Sequence, residues 1–381
     1  MLKLLHTADW QIGKLYGQFE PDDAALLAEA RFAAVERLAQ LASVQGVHMV
    51  LVAGDVFDAQ GVAERTIHRL FNCLRGYAGP WVMIPGNHDA ALSESVWTRA
   101  ARLGAIPPNV SVCLAPGAVQ FDALRVAVLA APLTQRITHS DLTNAFAAID
   151  TPAGFHRIGL AHGSVQGILA DGIDSSNPIA AGRAAEARLD YLALGDWHGC
   201  RQVDARTWYS GTPETDRFRA NDSGRALIVE LASPGAEPLV TPVVTGQYRW
   251  FDESATLQVA SDIDVLLARL ATFGHADVVQ ITLDGETDLA GHARLRDAFA
   301  QTQGRVRSLT VDLSALRIAP TEDDIDALSA DGYLGDVIAE LRTLQGDGDG
   351  DRAGTAETAR DALVLLAGLL RDRRSAGGGA S

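Results

Sequence analysis

Cysteine is scarce in this sequence of 381 residues, which contains only Cys73, Cys113 and Cys200. The three are widely separated and form no CxxC pair, which excludes a disulfide-rich scaffold and the usual structural zinc site. Sparse cysteine use is typical of a reducing compartment, so we expect a cytoplasmic protein. The opening residues enter a strand pattern directly, without the basic and apolar regions of a signal peptide, which supports the same expectation.

Long apolar runs and positive charge are also lacking. No stretch approaches the roughly 20 apolar residues that a membrane-spanning helix requires, so we expect no membrane partner. The chain has 32 Lys and Arg against 48 Asp and Glu, a net charge of −16. This excludes a protein that holds DNA mainly through a broad basic surface. It does not exclude a nucleic-acid enzyme, because bound divalent cations invert the local field.

The negative charge is unevenly distributed along the chain. From Phe251 onward there are 12 basic and 23 acidic residues, which leaves −11 in that part and −5 in the first 250 residues. We therefore expect any groove for DNA to lie on the N-terminal part.

Strand-like and helical patterns alternate over residues 1–246, which predicts an α/β domain. Short strands become frequent in its second half, so a four-layer α-β-β-α sandwich fits better than a single parallel sheet. The pattern then restarts as a smaller α+β unit at 247–345, interpreted as a capping domain. Residues 346–354 are mostly Gly and Asp and predict a flexible linker. Residues 355–373 predict a helix that docks on the protein's own core or on a partner, and 374–381 a disordered tail.

Five polar loops, each after an apolar strand pattern, carry side chains that bind metals. These side chains are Asp9, Gln11, Asp55, Asn87, His88, Asp89, His162, Asp196 and His198. Because an open α/β sheet builds its site at the carboxyl ends of its strands, we expect them to converge. Carboxylates, amides and imidazoles in this number indicate a site for two divalent cations roughly 3.5–4 Å apart. Such a site is typical of phosphoester hydrolysis.

Two of these loops suggest specific roles. Asp55 in Gly-Asp-Val-Phe-Asp is the expected bridging ligand, since one carboxylate can offer an oxygen to each cation. In Gly-Asn-His-Asp, His88 and Asp89 predict a catalytic pair, with the carboxylate orienting an imidazole that protonates a leaving oxygen. Five other histidines are interpreted as structural or surface residues: His6, His48, His68, His139 and His156.

In this order, the motifs resemble those of the calcineurin-like metallophosphoesterases, and among them the SbcD/Mre11-type DNA repair exonucleases. The resemblance is carried by Asp9-x-Gln11, residues 54–58 and 86–89, His162-Gly163 and Gly195-x-x-His198, with further likeness at 6–13, 190–195 and 209–214. It covers about residues 1–232. The α+β unit that follows resembles the family's capping domain only in position and size.

The resemblance implies a metal-dependent DNA nuclease, an exonuclease that could also act as an endonuclease, working in repair. One metal would be held by Asp9, Gln11, Asp55 and His198, and the other by Asp55, Asn87, His162 and Asp196. His88 would be the catalytic histidine, and the expected metal is Mn²⁺, with Mg²⁺ as the alternative. Members of the family pair with an SMC-like ATPase of the SbcC/Rad50 type, often through C-terminal helices, and form homodimers.

Two positions depart from the family pattern, because Gln11 and Asp196 stand where the family usually has histidines. Both changes replace nitrogen with oxygen ligands, which favours Mn²⁺ or Mg²⁺ over Zn²⁺. The additional charge of Asp196 should weaken the pull of the metals on bound water, so we expect an alkaline-shifted pH profile relative to an enzyme with two histidines.

The residues leave other functions open. Arg201, Arg217 and Arg219 flank the site loops and are candidates for contacts with DNA phosphates, although surface arginines are usually solvated. The same metal site would serve a phosphodiesterase or phosphatase for small substrates. A degenerate, non-catalytic scaffold is the third interpretation, and only Gln11 and Asp196 support it.

Overall fold

The computed structural model describes residues 1–167, 176–319 and 333–346, and within the last helix residues 356, 358, 359, 361–363, 365 and 366. The predicted tail and nearly all of the predicted linker lie outside the described residues. The chain divides into two compact units, Met1–Tyr248 and Arg249–Ser381.

The first unit contains two six-stranded sheets. The strands of the first sheet are β1 (Leu2–Thr7), β2 (Met49–Ala53), β3 (Trp81–Ile84), β4 (Val110–Val112), β13 (Arg225–Leu231) and β14 (Leu239–Val244). Their order is β14-β13-β1-β2-β3-β4. Strands β1 to β4 run parallel to one another. At one edge, β13 pairs antiparallel with β1, and β14 pairs antiparallel with β13. Three helices belong to this half of the unit: α1 (Pro21–Val44), α2 (Glu64–Cys73) and α3 (Val96–Arg102).

The strands of the second sheet are β5 (Gly117–Phe121), β6 (Val126–Ala131), β7 (His156–His162), β10 (Tyr191–Gly195), β11 (Arg201–Gln202) and β12 (Thr207–Tyr209). Their order is β11-β12-β10-β7-β6-β5. The four inner strands run parallel, with antiparallel strands at both edges. A short parallel pair, β8 (Ser164–Val165) and β9 (Pro178–Ile179), follows β7. A 3₁₀ helix at Leu142–Ala148 and helix α4 (Arg183–Glu186) accompany this sheet.

Three apolar layers hold these elements together. Leu5, Val50 and Val52 of the first sheet pack with the helices α1 to α3. Leu4 and Leu51, which alternate with them along the strands, face the second sheet. The other face of the second sheet packs with the 3₁₀ helix and α4. Because both sheets are covered on both faces, their central strands, such as β2, β3, β6 and β10, are continuous apolar runs. The predicted four-layer α-β-β-α sandwich is confirmed.

Helix α1 shows how the local sequence sets an element's ends. Pro21 occupies its first turn, where a missing N–H is harmless, and two acidic residues follow it there. Gly46 has a left-handed φ of 60°, and the N–H of Val47 turns back to the carbonyl of Ala42 at 3.1 Å. This is the usual glycine-terminated helix end, and it directs the chain into β2.

The second unit is a β-α-β-α-β arrangement followed by a helix. Its elements are β15 (Arg249–Leu257), α5 (Ala260–Leu270), β16 (Asp277–Thr287), α6 (Leu289–Gln303), β17 (Ser308–Ile318) and α7 (Tyr333–Gly346). The three strands are parallel, in the order β15-β16-β17. In strand β15, exposed residues alternate with partly or fully buried ones from Phe251 to Leu257.

The predicted C-terminal segment is helical at the positions described between residues 356 and 366. Ala359 and Leu363 are buried, whereas Leu365 is 66% exposed. Within the described part of the chain, no helix is both long and apolar enough to cross a membrane.

Candidate metal centre

The predicted ligands meet where the parallel strands of both sheets end. Asp9, Asp55 and Asn87 follow β1, β2 and β3, while His162 ends β7 and Asp196 follows β10. One ligand atom from each of Asp9, Asp55 and His162 lies within 4.8 Å of the other two, and all three residues are buried. The sandwich therefore brings residues separated by more than 150 positions to one point.

The backbone at this point is held in an unusual conformation. Asp9, Gln11, Asp55 and Asp196 have positive φ angles of 54°, 43°, 52° and 100°. Each such residue costs of order 1–3 kcal/mol unless its surroundings compensate. The N–H of Asp9 donates to the carbonyl of Gly54 at 3.1 Å, and that of Gln11 to the carbonyl of Asp55 at 2.9 Å. These bonds lock the first two loops together and direct both carboxylates inward.

Two glycines in the motifs are required by the packing of the ligands. A Cβ at Gly54, whose φ is 90°, would lie 2.3 Å from Nδ1 of His162. A Cβ at Gly86 would lie 2.2 Å from Oδ1 of Asp55. The glycine before each ligand thus leaves room for the ligand of a neighbouring loop.

The His162 ring has a defined orientation. Nδ1 donates to the carbonyl of Ala53 at 2.8 Å. Nε2 faces the cluster, 2.8 Å from Oδ1 of Asn87, 3.6 Å from Oδ1 of Asp55 and 3.8 Å from Oδ1 of Asp196. A backbone carbonyl that fixes one ring nitrogen leaves the other available to a metal.

Excess negative charge shifts the titration of the cluster. Burial, reinforced by the charges of Asp55 and Asp196, raises the pKa of Asp9 to about 6. Burial opposes the charged form of His162, but the carboxylates of Asp55, Asp9 and Asp196 outweigh it and raise its pKa to about 9. A buried set of oxygen and nitrogen donors with surplus negative charge fits a divalent cation, which would replace the proton on His162 and relieve the repulsion.

The structure also brings Gln11 and His198 together, with Nε2 of Gln11 3.1 Å from Nε2 of His198. Oε1 of Gln11 lies 3.4 Å from Nζ of Lys14, so its oxygen faces the lysine in this arrangement. To act as the predicted oxygen ligand, the amide would have to turn. Nδ1 of His198 lies 3.1 Å from Oδ2 of Asp216, a buried carboxylate that also binds Nζ of Lys14 at 2.6 Å.

Asp89, predicted to orient His88, has its carboxylate among backbone groups. It accepts the N–H groups of Val56, Phe57 and Gly86 at 2.7 to 3.1 Å and so joins the two loops. Burial and the nearby charge of Asp55 raise its pKa to about 7. His88 is oriented instead by the carbonyl of Asp58, 2.7 Å from Nδ1. Its Nε2 lies 3.9 Å from Oδ2 of Asp55.

Sequence reasoning missed Arg31, a fully buried arginine of α1. It donates to the carbonyls of Asp9 at 3.0 Å and Trp10 at 2.6 Å, and to Oγ1 of Thr212 at 3.0 Å. Further bonds reach the hydroxyl of Tyr16 and the carbonyl of Glu214. The available signal was its position four residues after Leu27 and four before Val35, on the apolar stripe of α1. A charged group on that stripe must find partners, and its partners hold the first site loop.

Asp216 was missed as well. Burial alone would raise its pKa, but the hydrogen bond and charge of His198, together with Arg31 and Lys14, bring it well below the ordinary value. Asp216 therefore stays ionised and orients His198. No motif marked it, because it lies 18 residues beyond its partner.

The three predicted DNA-binding arginines occupy two different places. Arg217 lies against His198, with Nη2 2.7 Å from Nδ1, and its Nε donates to Oδ1 of Asp216 at 3.0 Å. Arg201 and Arg219 lie over the ring of Trp197, with Cζ 5.5 Å and 5.2 Å from its centroid.

Comparison with known proteins shows which family and which relatives this chain is similar to. Residues 2–178 match the family described as calcineurin-like phosphoesterase. A stretch of 97 residues is 35% identical to the SbcD subunit of the SbcCD nuclease of Rhodobacter capsulatus, covering 24% of this chain and 22% of that protein. A stretch of 212 residues is 29% identical to the uncharacterized metallophosphoesterase YhaO of Bacillus subtilis, covering 53% of this chain and 50% of that protein.

The chain thus aligns with half or less of the length of these curated relatives. Among solved structures, TT1561 of Thermus thermophilus is similar with a TM-score of 0.41 and 13% identity, over 64% of this chain and 99% of that one.

Metal should stabilise this protein more at alkaline than at acidic pH. In the metal-free protein, the pKa of Asp9 is raised, so its ionisation disfavours the folded state. The contribution of Asp9 to the free energy of unfolding therefore falls as the pH rises from 3.8 through about 6. The raised pKa of His162 adds stability that is present below pH 6.5 and lost through about pH 9. Mn²⁺ removes the repulsion. The Mn²⁺-induced gain in Tm, measured by scanning fluorimetry, should therefore be larger at pH 8 than at pH 6.

One variant tests this explanation and a second serves as its control. Asp9→Asn should reduce the difference between the two pH values, whereas Glu94→Gln, at a side chain 77% exposed, should preserve it. A gain in wild-type Tm that is equal at both pH values, or larger at pH 6, would contradict the charge account.

Replacing Arg31 by lysine should weaken metal binding. Lysine keeps the charge but cannot present the planar fork that bonds Asp9, Trp10 and Thr212 together. Loss of a residue that orients ligands typically lowers metal affinity about 10- to 100-fold, which titration with Mn²⁺ would measure.

The matched control for Arg31 is Arg37→Lys on the same helix. Arg37 bonds Oε2 of Glu214 at 2.7 Å and the carbonyl of Thr245 at 2.7 Å, away from the first site loop. It should leave the Mn²⁺ affinity unchanged. If wild type and a folded Arg31→Lys protein bind Mn²⁺ with equal affinity, Arg31 has no role in positioning the metal ligands.

Proposed function

We propose that this chain, whose residues 2–178 match the calcineurin-like phosphoesterase family, is a metal-dependent DNA nuclease. It hydrolyses phosphodiester bonds as an exonuclease, could also cleave as an endonuclease, and acts in DNA repair. The observation that carries the phosphoesterase chemistry is the buried cluster of Asp9, Asp55 and His162. The partial similarity to an SbcCD nuclease subunit supports the choice of DNA as substrate.

The proposed ligand sets are those implied by the motifs. Asp9, Gln11, Asp55 and His198 hold one divalent cation, and Asp55, Asn87, His162 and Asp196 hold the other, with Mn²⁺ expected and Mg²⁺ as the alternative. When bound, two such cations polarise the phosphodiester and lower the pKa of water. Asp55 is the shared ligand, in keeping with its central position and with the N–H of His88, which donates to its Oδ1 at 2.9 Å.

His88 supplies the proton-transfer chemistry of the proposed reaction. Since Nδ1 donates to the carbonyl of Asp58, Nε2 is the nitrogen directed toward the cluster. The side chain remains 31% exposed, so a substrate can reach it. A protonated Nε2 can donate to the leaving oxygen or bond an oxygen on phosphorus. Asp89 acts one step away, by keeping the loop that carries His88 joined to Val56 and Phe57.

The proposed partners are DNA, an SMC-like ATPase of the SbcC/Rad50 type and a second copy of the chain. The helical segment between residues 356 and 366 is the proposed contact with the ATPase. Its exposed Leu365 supports this assignment, while the buried Ala359 and Leu363 show that part of the segment is already covered. A coiled-coil ATPase encoded beside this protein would support the pairing.

Replacing His88 by asparagine should slow DNA cleavage while leaving metal binding intact. Loss of a general acid typically reduces the rate about 10²- to 10⁴-fold, and His88 is outside the proposed ligand sets. The measurement is degradation of linear duplex and single-stranded DNA with Mn²⁺, alongside metal content by mass spectrometry. His68→Asn, at an exposed position of α2, is the control and should cleave like wild type.

Other outcomes would replace the nuclease assignment. Turnover of bis-p-nitrophenyl phosphate or cyclic nucleotides by wild type, without cleavage of DNA in the presence or absence of its ATPase, would assign a small-substrate phosphodiesterase. Protein without bound metal and without any hydrolysis would assign a non-catalytic scaffold.

A further inference from the structure

Trp197 stands between two proposed metal ligands, Asp196 and His198, and is only partly buried. Part of its ring packs against the apolar layer outside the second sheet. The guanidinium carbons of Arg201 and Arg219 lie 5.5 Å and 5.2 Å from the ring centroid. An aromatic ring with two guanidiniums over it therefore lies on the loop that carries two proposed ligands.

Backbone contacts hold the two segments that form this border. The N–H of Cys200 donates to the carbonyl of Asp222 at 3.2 Å. A Cβ at Gly199 would lie 2.0 Å from the carbonyl oxygen of Asn221 and 2.8 Å from Nε1 of Trp197. Only glycine allows this approach, so the chain around residue 221 is seated directly on the loop that carries Trp197. The arrangement is a packed feature, not a chance meeting of two surface loops.

The charge of the two arginines is not neutralised by the part of the chain described. Neither guanidinium forms an ion pair or a side-chain hydrogen bond with another described residue, whereas the nearby Arg217 and Arg225 pair with Asp216 and Asp222. Within the described residues, these two guanidiniums are therefore available to an anionic ligand. Arginine in this state is suited to binding phosphate through its planar fork.

We propose that Trp197, Arg201 and Arg219 form a subsite for the polynucleotide strand that flanks the scissile phosphodiester. The guanidiniums bind backbone phosphates and the indole stacks a base. This inference rests on the proposed nuclease function and adds the feature that favours a polynucleotide over a small phosphodiester. Aromatic stacking next to a basic groove is the usual way to hold a single strand without reading its sequence. An inorganic or simple phosphate would use the arginines but not the ring.

The test is strand binding in the His88→Asn background, where cleavage is slow. A fluorescent single-stranded oligonucleotide is titrated with Mn²⁺ present, and anisotropy gives Kd at several salt concentrations. The double variant Arg201→Ala/Arg219→Ala should raise Kd about 10- to 100-fold. It should also reduce the slope of log K against log salt by about 1 to 1.5, since each phosphate contact on a single strand contributes about 0.7.

Trp197→Leu separates stacking from charge. It should raise Kd roughly 10-fold and leave the salt slope unchanged, because a base–indole contact releases no counterions. The control is Arg75→Ala, which removes one exposed arginine just after α2. Manganese content of each variant, measured by mass spectrometry, verifies that the metal site is intact.

The outcomes distinguish this inference from the function on which it rests. In one outcome, the His88→Asn protein binds the oligonucleotide and wild type cleaves DNA, but the double variant and Trp197→Leu have the same Kd as Arg75→Ala. That result overturns the subsite and leaves the nuclease function standing. In the other outcome, the His88→Asn protein does not bind the oligonucleotide and wild type hydrolyses only small phosphodiesters. The nuclease assignment then fails, and the subsite fails with it.

Discussion

The mutual approach of three carboxylates, two of them buried, governs this structure. Asp9, Asp55 and Asp196 meet at the ends of strands from two sheets, where their charges repel and burial raises the pKa values of Asp9 and Asp196. Ordinary folding forces would separate such groups, and each also sits in a left-handed backbone conformation. A cluster of this kind persists because its surroundings hold it, and a divalent cation is the partner that makes it favourable.

The rest of the sandwich supports that cluster. Parallel strands of both sheets bring the loops to one point, and Gly54 and Gly86 let them close to contact. Arg31 joins the first loop to the turn at Thr212, while Asp216 holds His198 and Asp89 holds the loop of His88. Each of these buried polar groups has its hydrogen bonds satisfied, so the network is rigid and not merely charged. A rigid network is what positioning two cations against a phosphorus centre requires.

Much of this could be predicted from the sequence, because the signals are local. An apolar strand followed by a ligand-type residue marks each loop, and sheet topology then brings the loops together. The contacts of Asp89 could not be predicted. Its position next to His88 in the sequence suggested a contact with that ring, whereas its carboxylate accepts backbone N–H groups of two loops. The orientation of Gln11 depends on Lys14 and His198, and that of His198 on Asp216. Arg31 bonds a residue about 180 positions away, which only the folded chain reveals.

The central claim is that these side chains jointly bind two cations through a shared carboxylate. Calorimetric titration of metal-free protein with Mn²⁺ tests it most directly. The account predicts two ions per chain for wild type, and loss of both high-affinity sites in Asp55→Asn, because one carboxylate serves both. A stoichiometry of zero, or an Asp55→Asn protein that binds two ions as tightly as wild type, would contradict it.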